Sequence, residues 1–243
     1  MTGGGHYWGH AYAVLAFPVR VPGLGYSQYV IAEGAGTSKG QPPSKGARQT
    51  ATIHHCSYAN CDRPDEGLEN EFLRLQLDMV TGGIHSLCKK DDNVEFVIPE
   101  LAAPILEYAV ERPHSMSAWC MDNTGPMELP AVIAINRTFT GPYKAALEVH
   151  LRIHESSVKL TYELRVGDPR LYIDISADWF QRGSPEIGVP VLNLVLSLAL
   201  ESACARYEIP FGAVDRTLHD REEVPALQWA QVNGKIGTRP FGC

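Results

Sequence analysis

The sequence predicts an all-β protein, most simply a large antiparallel β-sandwich. Three observations carry this prediction. Apolar and polar residues alternate with a period of two through three successive runs in the centre of the chain. Turn-forming residues separate those runs, and no long stretch repeats at the helical period. Runs of short strands without helices belong to the sandwich and barrel architectures.

The elements follow in chain order. AYAVLAFPVRVPGLGYSQYVIAEG (11–34) holds short apolar runs broken by Pro18, Pro22, Gly23 and Gly25. It reads as two short strands around a tight loop, and residues 1–33 as a short β lead-in. GAGTSKGQPPSKGARQT (34–50) is Gly, Ser, Pro and Lys, which buries no apolar surface. Residues 34–66 are therefore expected to be a flexible linker or long loop. The sandwich domain is expected over 67–243. Its first strands are Glu71–Asp78, with Gly82-Gly83 in the following hairpin turn, then Ile105–Val110 and Ala131–Arg137.

The central ribbon is the clearest part. Leu147, Val149, Leu151 and Ile153 alternate with Glu148, His150 and Arg152. Val158, Leu160, Tyr162, Leu164 and Val166 alternate with Lys159, Thr161, Glu163 and Arg165. Leu171, Ile173, Ile175 and Ala177 alternate with Tyr172, Asp174, Ser176 and Asp178. A meander turning at Glu155-Ser156 and at Gly167–Arg170 puts every apolar residue on one face. The expected pairs across the second turn are Val166 with Leu171, Leu164 with Ile173 and Tyr162 with Ile175. A slip of one residue would carry Glu163 and Arg165 into the core, so the parity is fixed. The first turn has no glycine signal and leaves its offset open. Further on, IGVPVLNLVLSLAL (187–200) reads as a buried strand pair with a strand over Val191–Leu198, and Arg206–Ile209 as another strand.

Composition narrows the function classes. The chain has 243 residues, 44% of them hydrophobic, enough for a sizeable core. Its formal net charge is -7 and no Lys/Arg cluster reverses that locally. An acidic surface offers no footprint for nucleic acid or an anionic membrane, so neither is an expected partner. MTGGGHYWGH lacks a basic start and an apolar core, so no signal peptide is read and an intracellular place, cytoplasmic or vacuolar, is favoured. The longest apolar run is too short to span a bilayer. Six cysteines in so long a chain read as reduced thiols and not as a disulfide scaffold.

Candidate chemistry is sparse. His54, His55, Cys56 and Cys61 are zinc-type ligands, but structural sites pair close-spaced ligands at two places and no second pair stands out. Asp122, Asp174, Asp178 and Asp215 are carboxylates of the kind glycoside chemistry uses, although their separations in space decide that role. There is no Gly-X-Ser-X-Gly, no phosphate-binding loop and no nicotinamide fingerprint. Trp119, Trp179 and Trp229 are either core anchors or stacking platforms for sugar rings. His150 and His154, with Glu163 on the next strand, are the acid–base groups that a mutarotase-like sugar epimerase would need.

The stretch RYEIPFGAVDR, followed by EEVPALQWAQV, resembles the C-terminal β-domain of the family-38 glycoside hydrolases, the α-mannosidases. Further pieces resemble that family in its order: VPGLGYSQY (21–29), NEFLRLQLDMVTGGIHSLCKKD (70–91), ERPHSMSAWCMD (111–122) and GDPRLYIDISADWFQRG (167–183). The likeness covers about Val21 to Ala230. It implies a sandwich of the galactose mutarotase-like kind, incomplete at its end, since the family continues beyond VNGKIGTRPFGC (232–243) with further strands. Such open edges lead to an expectation of self-association.

The resemblance also implies where chemistry sits. Catalysis in these enzymes belongs to an N-terminal α/β domain with a zinc site and an Asp nucleophile, and these 243 residues hold no matching stretch. No catalytic residue, metal or other cofactor is therefore expected in this chain; zinc is expected in the catalytic domain. The ERPHSMSAWCMD loop departs from the family pattern at Met116, Ser117 and Cys120, where an aromatic and two acids are usual. Arg112, His114 and Trp119 remain as its candidates for sugar contact. The expected partners are an α-mannosidase-type catalytic domain and a mannose-containing carbohydrate, with the chain inactive alone. The alternatives are a free-standing carbohydrate-binding module and a mutarotase-like epimerase. In RYEIPFGAVDR and the stretch after it, Pro210 and Gly212 are expected to turn a corner and Pro225 to open the next strand. Tyr207, Ile209 and Phe211 are expected to pack on the meander.

Overall fold

The computed structural model describes residues 4–7, 10–13, 17, 19–30, 54–55, 67–98, 100–102, 105–116, 125–140, 143–216 and 226–242. Among them there are strands and turns and no helix. Strands β1 (Gly4–Tyr7) and β2 (His10–Ala13) pair with each other. Strands β3 (His54–His55), β4 (Gly67–Glu69), β5 (Leu73–Leu77), β6 (Ile84–Lys89) and β7 (Val94–Glu95) form one antiparallel sheet in that order. Strand β8 (Ile105–Glu111) precedes a second sheet, the meander β9 (Ala131–Thr140), β10 (Lys144–Ile153), β11 (Ser156–Arg165) and β12 (Leu171–Asp178). Strand β13 (Val189–Val195) returns to pair with β8. Strands β14 (Glu201–Ile209), β15 (Gly212–Arg216), β16 (Ala230–Ile236) and β17 (Arg239–Gly242) make a last sheet in the order β15-β14-β16-β17.

The core lies between the first sheet and the meander, which makes the molecule an all-β sandwich. Leu73, Leu75 and Leu77 alternate inward along β5 while Arg74 and Gln76 are only half-buried. They face Leu147, Val149, Leu151 and Ile153 of β10 and Val158, Leu160, Tyr162 and Leu164 of β11, all buried in one cluster. The parity read from the sequence is the parity observed. Two irregularities in the β9–β10 register, at Ala146/Leu147 and His150/Leu151, curl the edge of the meander.

Polar ties bridge the two sheets. The Tyr162 hydroxyl, fully buried, donates to the Gly82 carbonyl oxygen at 2.9 Å. Gly82 sits in the β5–β6 turn at φ +71°, and a Cβ there would lie 2.5 Å from Val149 Cγ1, so only glycine fits. Buried Asn70 donates through Nδ2 to the carbonyls of Arg165 and Asp168, at 2.8 and 3.0 Å, while its Oδ1 accepts from the Phe72 and Leu73 amides.

Those ties explain one correction. Leu164 pairs with Leu171, Tyr162 with Ile173 and Leu160 with Ile175, two residues away from the offset expected. The Val166 amide is taken by the Tyr143 carbonyl and the Gly167 amide by the Glu71 carboxylate. The turn is thereby drawn onto the facing strands and lengthened, and the parity survives because the shift is even.

Three other expectations are corrected. Residues 187–200 are not a buried strand pair: β13 is one half-exposed strand on β8, and Leu194 and Leu196 stand in solvent. Of the two strands expected over 11–34, the first falls in β2 and the tight loop turns at Pro22–Gly25, but residues 19–30 form no strand; Tyr29 is tied back to the Arg20 backbone and to the Phe17 ring. Pro210-Phe211 does turn the corner between Ile209 and Gly212, yet Phe211 is wholly exposed at φ +64° and packs on nothing. The last sheet meets the rest chiefly where Phe241 touches Phe96, ring centroids 4.8 Å apart, and where Arg239 pairs with Asp92. Pro225 lies outside the described residues, as does most of 34–66.

Candidate functional site

The end of β8 positions the first group of side chains. Glu111 is the last residue of β8 and its side chain is 5% exposed. His114 Nε2 lies 2.8 Å from Glu111 Oε1, and the Met116 amide reaches His114 Nδ1 at 3.2 Å. A backbone amide can only donate, so Nδ1 is the acceptor and the ring hydrogen sits on Nε2, donating to the carboxylate. Both ring nitrogens are thus engaged, and the loop after β8 is clamped to its own strand. Arg112, one residue beyond Glu111, is exposed.

A second loop closes on the first. Ser184 and Gly188 pair across a turn in which Ser184 Oγ accepts the amides of Glu186 and Ile187 at 3.2 and 3.1 Å. The Ser184 hydroxyl also holds the Glu186 carboxyl below its ordinary range. Gly188 adopts φ +107°, and a Cβ there would stand 2.0 Å from the Glu111 carbonyl oxygen. The two loops can approach this closely only through glycine. Pro113, His114 and the Gly183–Val189 loop line an open groove of about 610 Å³ between them.

Three residues back along β8 lies an aromatic cluster, about 10 Å from the groove at strand spacing. Tyr108 exchanges backbone hydrogen bonds with Glu128. Its ring meets His154 edge-on at 5.1 Å and Trp179 at 6.1 Å. Burial, with the Glu128 charge adding to it, pushes the Tyr108 hydroxyl above its ordinary pKa. His154 Nε2 lies 3.4 Å from Glu128 Oε2. The segment carrying Trp179 is fixed from below: Ser156 Oγ, buried, accepts the Phe180 amide at 2.8 Å and Gln181 Nε2 at 3.2 Å.

The other sequence candidates are placed elsewhere. His150 pairs with Glu148 at 2.6 Å, and Lys159 shares that carboxylate. Glu163 is held by Lys144 and Arg165 at 2.7 and 2.6 Å, and these cations keep its carboxyl low despite partial burial. In register His150 stands opposite Lys159 and Glu163 opposite Ala146, so His150 and Glu163 are about four residues, roughly 13 Å, apart along the ribbon. Asp178 accepts from the Ser157 hydroxyl, and Asp215 receives a two-pronged contact from Arg206. Among the described residues no three His, Cys, Asp or Glu side chains could hold a metal ion. Trp119, Asp122, Cys56 and Cys61 lie outside the described residues, as do the side chains of His54 and His55.

Tyr108 and Glu128 carry no signal in the sequence, and Ser156 is legible there only as a turn residue. They meet His154 and Trp179 only because β8, the strand-like residues before β9, the β10–β11 turn and the end of β12 converge. No local spacing signals that meeting.

No curated protein matches the chain. A model of the glycosyl hydrolases family 38 C-terminal domain matches residues 68–236, well over half of the chain, from β4 through β16. The chain therefore belongs to that family, as the C-terminal, non-catalytic β-domain of a family-38 glycosyl hydrolase.

Proposed function

We propose that this β-domain packs against the catalytic α/β domain of an α-mannosidase-type hydrolase and walls part of its sugar cleft. The observation that carries the reading is the match to the family's C-terminal domain over 68–236. The clamped loop after β8 supports it. Glu111 and His114 pin the residues between them, so that exposed Arg112 is held ready to donate to a sugar at lower entropic cost, and Trp119, further along the sequence, is of the residue type that stacks on sugar rings. Zinc and the nucleophile would come from the catalytic domain.

The test is an aryl α-mannoside assay with added zinc. The chain alone should show no turnover and should co-elute with a family-38 catalytic domain in size-exclusion chromatography. Turnover by the chain alone that survives purification, or failure to associate with that domain, would overturn the reading.

A further inference from the structure

We propose that Trp179, His154 and Glu128 form a pyranoside-binding subsite supported by Tyr108. The proposal deepens the sugar-cleft reading above and rests on it for the ligand class; the residues come from geometry alone. Trp179 packs one side on Tyr108 yet remains 36% exposed. An exposed indole held by a buried ring is a rigid apolar platform for the C–H face of a sugar. The same Tyr108 ring carries the His154 imidazole, which pairs with the Glu128 carboxylate, their side chains 48% and 59% exposed. A carboxylate accepts from neighbouring hydroxyls and an imidazole donates to one, which is the polar complement a pyranoside needs. An apolar wall with a few convergent polar groups is the usual make-up of a small-ligand site.

Two features show that the arrangement is built. Ser156 pins the backbone just after Trp179 through the Phe180 amide and Gln181 side chain. His154 occupies the β10–β11 turn at φ +49°, where glycine would be easier. A side chain kept at a strained position over the Tyr108 ring points to a use for that side chain.

The experiment is a titration of the 243-residue chain carrying 5-fluorotryptophan with methyl α-D-mannopyranoside, read by fluorine NMR. Trp179→Phe identifies its resonance, and Trp8, which is no candidate for sugar contact, serves as the internal reference. The Trp179 signal should move saturably with a dissociation constant on the order of 1 mM, ordinary for so small a ligand. Glu128→Gln should weaken binding about tenfold or more, the worth of a hydrogen bond to a charged acceptor. His154→Gly should weaken binding several-fold while the chain stays as stable, because glycine relieves the turn. A Trp179 signal indifferent to the sugar, or Glu128→Gln and His154→Gly variants that bind like the parent, would overturn the subsite. So would a Trp179 signal that moves only on adding the catalytic domain, since that makes the platform a protein contact. The titration is done without the catalytic domain, so its failure and a failure to associate are read separately.

Discussion

The Tyr162 hydroxyl donates to the Gly82 carbonyl at 2.9 Å across the interior of the sandwich. One partner comes from the middle of the meander and the other from a turn of the facing sheet. Tyr162→Phe leaves a buried carbonyl without its donor, which costs about 1–3 kcal/mol. Urea unfolding of the variant should show that loss with an unchanged m-value. Gly82→Ala should cost at least as much, through both its φ and the clash with Val149.

Acid sensitivity should trace to the β11–β12 turn. Arg170 holds the Asp168 carboxyl far below the ordinary carboxylate range, helped by the Tyr172 hydroxyl and the Arg170 amide and opposed by burial. A depressed folded pKa gives stability that is present above the unfolded value, about 4, and is lost as pH falls below it. Asp168→Asn should therefore be less stable than the parent at neutral pH. The gap between their thermal midpoints should narrow steadily as pH falls below about 5.

Ser156 is the anchor of the Trp179 segment. Ser156→Ala removes the acceptor for the Phe180 amide and should cost about 1–2 kcal/mol. Hydrogen exchange at the Phe180 amide should quicken by a larger factor than in β10, whose amides stay paired in the ladder.

Much of the fold was legible because burial has a period. Leu147–Ile153 and Val158–Leu164 face one core, and alternation alone assigns them to it. The glycine pair after β5 announced its hairpin for the same local reason: φ is positive at Gly82 and few residues tolerate that. What stayed hidden depends on distant partners. The two-residue offset at Leu171 is set by Asn70 and Glu71, nearly a hundred positions upstream. The exposure of 187–200 is not legible because an apolar run says nothing about what covers it, and here little does. His154 and Trp179 could be named as residue types, but their meeting over Tyr108 needs the register of four segments.

Phe211 offers a stabilising substitution. It is fully exposed, at 110%, and sits at φ +64° after Pro210, the place in a tight turn that favours glycine. Phe211→Gly should raise stability by about 1 kcal/mol by relieving the left-handed backbone, less what glycine loses in the unfolded chain. Differential scanning calorimetry should show a thermal midpoint higher by a few degrees.

The thin attachment of the last sheet has a consequence for how the molecule comes apart. Among its described residues only Ala205 is fully buried, and these meet the rest chiefly through one aromatic pair and one ion pair. Such a unit opens on its own at a fraction of the global free energy. A protease should nick the strands after Glu201 first and leave a trimmed, still folded kernel, so that domain mapping by limited digestion would draw its boundary at Leu200 and not at the chain's end.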